Sequence, residues 1–430
     1  MVSAQEFWLE LPSPTTKNLN RIIFVDSLYG WASGDSGAIL NTTNGGQNWS
    51  VQNSGITAFT IDDMFFLNRR LGWALSNDYF FYGTKMLRTT NGGLNWQLSL
   101  FPDTNQVINT VHFLDSLTGF LGAYTGNIYK TSDGGNNWVN CNIDTNYCPL
   151  FYLFPKLNFS FVNSQTGFVC GGQIDIVGMI WKTTDSGLNW LTYCVTFEPL
   201  RRIKSLYPHK IIATGGDYEY GPVTAQAYDS GSSGTWIYDL IGPTDTTYYN
   251  GIGYALAFRT PQELWVPLQY SQSWGLSLDS GSKSGNWYQI PTPDSSQIFD
   301  ALFVNSRNGW ACGNNGVLLK YNSAIIGITN NGNTLPERFK VFQNYPNPFN
   351  PSTTISYYLH TKSSVKIIVY DLLGKEVRLL NEGIKPAGNY KTVFSSHGLA
   401  SGVYFYVMEA VPADPNENVF IESKKMVILK

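Results

Sequence analysis

The sequence predicts an all-β chain in two parts: a seven-bladed β-propeller followed by a small C-terminal β-sandwich. Three observations point there. A unit ending in tryptophan recurs at intervals of 41 to 52 residues over most of the 430-residue chain. Inside the unit, apolar and polar residues alternate between Gly-containing turns, the period of a half-buried strand. Toward the C-terminus the unit disappears and a different set of alternating segments takes over. Composition agrees, since 15% aromatic and only 14% charged residues, with 41 Gly and 20 Pro, suit short strands and many turns.

The unit is clearest in "FVDSLYGWASGDSGAILNTTNGGQNW", from Phe24 to Trp49, and recurs in copies that end at Trp96, Trp138 and Trp190. Weaker copies end at Trp236 and Trp287. A last copy, "FVNSRNGWACGNNGVLLKYN", stops short of its tryptophan, while "FWLELP" at the other end of the chain supplies Trp8. Three strands at residues 298–321 and a fourth from the N-terminus therefore make one blade, and tryptophans 8, 49, 96, 138, 190, 236 and 287 count seven. Closing the ring in this way leaves no open sheet end.

The turn before each tryptophan has a fixed chemistry. Thr131, Asp133, Gly135 and Trp138, and again Thr183, Asp185, Gly187 and Trp190, fit Ser/Thr-x-Asp-x-Gly-x-x-Trp. In the first two copies Asn44 and Asn91 replace the aspartate, ahead of Trp49 and Trp96, and keep the side-chain oxygen that an Asx-turn needs. The pattern resembles the Asp-box, or BNR, repeat of sialidase-type propellers. The fuller "GW…TTNGGxNW" resembles photosystem II assembly-factor-like propellers, over residues 5–323. That resemblance implies a binding scaffold, in which these turns are structural hairpins on the face away from the usual binding mouth.

Residues 324–338 read as a linker. From residue 339 to 430, period-two segments between turns indicate the sandwich. Residues 345–351, 371–377, 399–406 and 424–429 closely resemble the type A sorting domain of the bacterial type IX, or Por, secretion system. The resemblance implies contact of residues 339–430 with the secretion machinery, export, removal of the tag, and release or attachment at the outer surface. "MVSAQEFW" lacks a basic and apolar signal segment, yet "VSAQ" reads as the end of one, so the start is expected to be either truncated or trimmed.

Several function classes are disfavoured. A formal net charge of −3 supplies no basic field for nucleic acid. No apolar run approaches the roughly 20 residues of a membrane span. The four histidines are scattered, with no metal-ligand spacing, and neither a phosphate loop nor a nucleophile elbow occurs, so neither metal nor cofactor is expected. Of five cysteines, Cys170 and Cys312 occupy a small-residue packing slot, and Cys141 with Cys148 would close a small loop.

Candidate binding residues come from propeller connectivity. Loops between second and third strands share one face, and three of the four long ones present Tyr79 and Tyr82, Tyr218 and Tyr220, and Tyr270 and Trp274, aromatics suited to stacking on sugar or anchoring a protein. Aligning first strands on Phe24, Phe66, Phe113, Phe161 and Phe303 places Arg21, Asp62, Asp63, Arg202 and Asp300 around the tunnel mouth, with Asn20, Asn109, Asn158 and Tyr254. No catalytic residue is assigned. The reading is a secreted or surface-held, non-catalytic propeller that recognises glycan or protein. Two alternatives stand beside it: a sialidase-like or other glycoside hydrolase, using the arginines or a carboxylate pair of Asp62 or Asp63 with Asp300, and a mainly structural surface component.

Overall fold

Alternating residues bounded by Gly-rich turns form strands throughout the computed structural model, which describes residues 7–78, 83–144, 148, 153–206, 210–228, 236–243, 247–278, 281, 287–323, 339–341, 344, 346–359, 361–372, 375–385, 388–412 and 419–429. The expected linker at 324–338 and the aromatics at 79–82 lie outside the described residues. The chain divides into two units, Met1–Ser323 and Ala324–Lys430.

Among the described residues the first unit contains seven sheets, numbered here by the order of their first strands. Sheet one runs through Leu19–Phe24, Gly30–Gly34, Ile39–Thr42 and Ser50–Gln52 as an antiparallel meander. Sheets two to six begin with Ile61–Phe66, Ile108–Phe113, Lys156–Phe161, Leu200–Leu206, and the broken strand Ile252–Gly253 and Ala257–Phe258. Sheet seven joins Ile298–Asn305, Asn308–Gly313 and Leu318–Tyr321 to Trp8–Glu10, with Trp8 opposite Tyr321. Neighbouring sheets touch in sequence order, most through their inner strands, and Leu19–Phe24 touches Ile298–Asn305, so the circuit closes. A sheet packed on neighbours at both faces has buried residues on both, which is why strands such as Gly30–Gly34 and Gly72–Asn77 are buried at every position.

One device repeats between sheets. The phenylalanine ending a first strand stacks on the second-strand aromatic of the preceding sheet: Phe66 on Trp31, Phe113 on Trp73 and Phe24 on Trp310, each with centroids 3.6 Å apart. The tryptophan after the Asp-box of its own sheet meets the same ring edge-on, as Trp49, Trp96 and Trp138 do for Phe24, Phe66 and Phe113. Edge and face contacts of this kind add about 0.5–1.5 kcal/mol per pair beyond burial. The ring needs a glycine beneath it. A Cβ on Gly72 would lie 2.4 Å from Phe66, and one on Gly119 would lie 2.5 Å from Phe113.

Each Asp-box forms the hairpin between third and fourth strands. In sheet three the Thr131 Oγ1 accepts the Gly135 N–H at 3.0 Å while Asp133 Oδ1 accepts the N–H groups of Asn136 and Asn137. Asn44 replaces the carboxylate with its amide oxygen, accepting the Asn48 N–H at 3.0 Å.

Sheet four carries an addition. The connector from sheet three lays Asn142–Asp144 parallel to its last strand, Asn189–Thr196, and a disulfide joins Cys148 to Cys194. The expected Cys141–Cys148 loop is thereby corrected: Cys148 is fastened to the neighbouring sheet, and Cys141 is a half-buried free thiol packed beside Trp190.

In the second unit, Lys340–Val341, Ser352–Leu359 and Gly388–Ser395 form one sheet, and Glu376–Lys385, Ser363–Tyr370, Gly402–Pro412 and Phe420–Ile428 form another. Ile355 and Tyr357 from the first share a core with Ile367, Val369, Tyr406 and Met408 from the second. The proline-rich entry segment lies along the last strand, where Asn347 Oδ1 accepts the Val427 N–H at 2.8 Å and the Phe349 N–H bonds the Val427 carbonyl.

Candidate functional site

The first strands of six sheets share a register shift, between Leu19 and Arg21, Ile61 and Asp63, Ile108 and Thr110, Lys156 and Asn158, Leu200 and Arg202, and Ile298 and Asp300. A bulge re-aims the side chain beside it, and here it brings charges from different sheets together at the channel wall. Arg21 Nε lies 2.7 Å from Asp63 of sheet two, and Nη1 donates to Asp300 of sheet seven at 3.1 Å. Those side chains are only 14%, 6% and 7% exposed. Burial works against the Arg21 charge, but the two carboxylates outweigh it and hold the guanidinium above its ordinary range.

The carboxylates serve the backbone as well. Asp63 accepts the Val111 N–H at 2.9 Å and Asp300 accepts the Ile22 N–H at 3.1 Å, each reaching the next sheet, while Asn158 accepts the Ile203 N–H in the same manner. The expected mouth residues therefore divide into two groups. Arg21, Asp63, Asp300 and Arg202 converge, with Arg202 Nε 4.0 Å from Asp300. Asp62 turns away to accept the backbone and side-chain N–H groups of Asn77, both at 2.9 Å.

A second cluster lies over sheets four to six, where antiparallel connectivity puts the loops between second and third strands at the same end as the connectors between sheets. Tyr218 and Tyr270 are 72% and 55% exposed and meet edge to face with centroids 6.0 Å apart. Tyr220 is exposed beside them in sequence, and Ile174 and Ile176 are exposed on the adjoining loop of sheet four. Trp274 departs from expectation: it is fully buried, stacked on Trp8 at 4.8 Å, because the closing strand lies against it. Tyr79 and Tyr82 fall outside the described residues.

Sequence reasoning missed the carboxylates under this rim. Asp175, Glu198 and Asp217 place ligand oxygens within 4.8 Å of one another, an arrangement able to accept a cation or a basic side chain. Glu198 accepts the Asp175 N–H at 3.2 Å and Asp217 accepts the Tyr220 N–H. Burial raises the Glu198 carboxyl, and the charges of Asp217 and Asp175 push it the same way. The signal was available, because Asp175 and Asp217 sit in two of the long loops and Glu198 in the connector between them. The Asp-box residues Asn44, Asn91, Asp133 and Asp185 stand at the opposite end of their strands and are occupied by turn hydrogen bonds.

Comparison with known proteins agrees with this architecture. Residues 1–146 match the family model described as photosynthesis system II assembly factor YCF48, and residues 343–422 match the secretion system C-terminal sorting domain. The photosystem II assembly lipoprotein Ycf48 of Nostoc sp. (strain PCC 7120 / SAG 25.82 / UTEX 2576) is 24% identical over 332 residues, 73% of this chain and 86% of that protein. The chain is similar to Ycf48 propellers over its first unit and carries a type IX sorting tail. Two solved structures share its fold: YCF48 from Cyanidioschyzon merolae, with TM-score 0.59, 20% identity, and 74% of this chain and 99% of that one covered, and YCF48 bound to a D1 peptide, with TM-score 0.57, 21% identity, and 74% and 96% covered. The sorting tail marks this Ycf48-like chain for secretion or outer-surface attachment and implies engagement with the type IX machinery. Among its described residues no helix is long and apolar enough to cross a membrane.

Proposed function

We propose that residues 5–323 form a seven-bladed, non-catalytic propeller that holds a protein segment at the cell surface or outside it, and that residues 324–338 link it to a sandwich-like sorting domain, 339–430, removed on maturation. The observation that carries the binding reading is the exposed Tyr218 and Tyr270 pair standing beside the Asp175, Glu198 and Asp217 set. Aromatic anchors next to a carboxylate cluster, two of its three members buried, suit a segment bearing lysine or arginine with an apolar neighbour. A YCF48 relative that holds a peptide supports a peptide for this chain too.

The carboxylates of the channel wall suit packing better than hydrolysis. Asp63 and Asp300 each serve Arg21 and a backbone N–H of the next sheet, which leaves little acceptor capacity for activating water or a hydroxyl.

The test is a parallel peptide-array and glycan-array screen of the full chain, with a glycosidase assay, comparing wild type with Tyr218→Ala/Tyr270→Ala, Asp217→Asn and Asp63→Asn. Binding to basic peptides that weakens at least tenfold in the first two variants supports the proposal. Binding confined to glycans transfers the rim to a lectin role. Turnover abolished by Asp63→Asn makes the protein a hydrolase, and silence in every assay favours a structural surface component.

A further inference from the structure

The channel wall holds more cation than its carboxylates neutralise. Arg202 and Lys204 stand two residues apart on Leu200–Leu206, roughly 7 Å along one side of the strand. Arg202 Nε stands 4.0 Å from Asp300 of sheet seven, so its guanidinium faces the same cluster as Arg21 and Asp63, whose charges also act on it. Its side chain is 16% exposed, and Nε is buried without a hydrogen bond. Nη1 turns back to the Arg201 carbonyl at 3.1 Å.

The counter-charge is already engaged. Asp300 gives Oδ2 to Arg21 and the Ile22 N–H, while Oδ1 accepts the Ala301 N–H and stands 4.0 Å from Arg202. Asp63 serves Arg21 and Val111. Among the described residues no carboxylate lies within ion-pair reach of Lys204, whose ammonium burial lowers and Asp300 supports from a distance. His112, at about 4, is neutral near pH 7 and contributes no charge. Arg202 also lies below its ordinary range, through burial first and then repulsion from Arg21. Three cations thus share two carboxylates, in surroundings where an uncompensated charge is costly.

We propose that Arg202 and Lys204 bind one small monovalent anion, chloride or a small carboxylate, in the central channel. The excess is a single charge, and a dianion such as phosphate would meet Asp300 and Asp63 at close range, so the site selects low charge and small size. The inference stands independently of the protein-binding face over sheets four to six.

The experiment follows chloride NMR line broadening by the full chain, together with thermal unfolding at rising chloride, in wild type and in Lys204→Met and Arg202→Met. Wild type should broaden the chloride signal saturably and gain thermal midpoint with chloride, a ligand binding the folded state alone. Lys204→Met, which removes the charge but keeps an apolar stem, should reduce the broadening at least threefold and lose the chloride-dependent gain. Loss of broadening on adding acetate assigns a site that takes either anion, and acetate-dependent stabilisation without chloride broadening assigns it to carboxylates. Equal broadening and an equal anion response in wild type and Lys204→Met would overturn the proposal, even if Arg202→Met does not fold.

Discussion

Sheets one to three and sheets five and six differ in how they spend their aromatic residues. In the former, phenylalanine, glycine and tryptophan interlock at every boundary, and the Asp-box turns carry the same hydrogen bonds with Asn or Asp in place. In the latter the interlock is gone. Ser205 replaces the phenylalanine and Ile211 its partner glycine, the first strand of sheet six is broken at Tyr254, and tyrosines face solvent at Tyr218, Tyr220 and Tyr270. Repeated packing makes the first sheets a stiff wall, whereas sheets five and six, freed from the repeat, carry the side chains suited to recognition.

That contrast is sharpest in a pair of truncations. Phe66→Ala removes a buried ring held between Trp31 and Trp96 and should cost about 3–5 kcal/mol, the range for large aromatic core truncations. Ser205→Ala, at the equivalent position of sheet five, removes only a half-buried hydroxyl that meets Ser160 and should cost about 1 kcal/mol, nearer the average point substitution. Urea unfolding of the full chain separates the two, and equal losses would dissolve the distinction between the sheet groups.

Sheet four lies between these groups and is reinforced from outside. Its parallel edge segment and the Cys148–Cys194 link pin the incoming connector, closing a loop of 46 residues in sequence. Cys194→Ser, or reduction of the wild type, should lower stability by about 2–4 kcal/mol, whichever enthalpic or entropic account of cross-linking applies. Thermal unfolding with and without reductant measures it. An unchanged midpoint would show that the edge pairing alone holds the connector.

Much of this was legible in the sequence where each residue repeats a local role. Trp8, missing its partner strands nearby, indicated that the N-terminal segment pairs with residues 318–321, and Gly-rich turns before Trp49, Trp96, Trp138 and Trp190 indicated their hairpins. The losses came where one sheet meets its neighbour through segments distant in sequence. Trp274 sits in a long loop by sequence, yet the closing strand covers it with Trp8, and Cys148 had a nearer candidate in Cys141 than the Cys194 it meets through an edge strand added across sheets. Alignment of first strands brought Arg21, Asp63, Arg202 and Asp300 to one ring, but only the bulge and the neighbouring backbone N–H groups reveal that their charges stitch sheets together.

Substitution of the exposed tyrosines sharpens the comparison from the other side. Tyr218→Ala/Tyr270→Ala should change stability by no more than about 0.5 kcal/mol per site, since both rings are more than half exposed, while weakening partner binding at least tenfold. Calorimetric unfolding and the peptide screen, run on the same preparation, test both halves. A loss of stability near that of Phe66→Ala would make the pair a loop core and remove the rim from consideration as a binding face.

The smallest effect distinguishes turns within the regular sheets. The backbone N–H of Asn137, then its side chain and the Thr131 hydroxyl, hold the Asp133 carboxyl down at about 2, below its ordinary value. A carboxyl depressed on folding contributes stability above its unfolded value, near 3.9, and loses it as pH falls through the folded one, so this turn weakens between about pH 4 and pH 2. Asn44 makes the corresponding bond to Asn48 through an amide and has no charge to lose. Carboxyl NMR titration of Asp133 should report a midpoint near 2, and Asp133→Asn should remove the acid-dependent step at sheet three while leaving sheet one unchanged. An Asp133 midpoint at the unfolded value would mean that the hairpin is held by Thr131, Gly135 and the packing of Trp138, with aspartate and asparagine interchangeable because neither oxygen bears load.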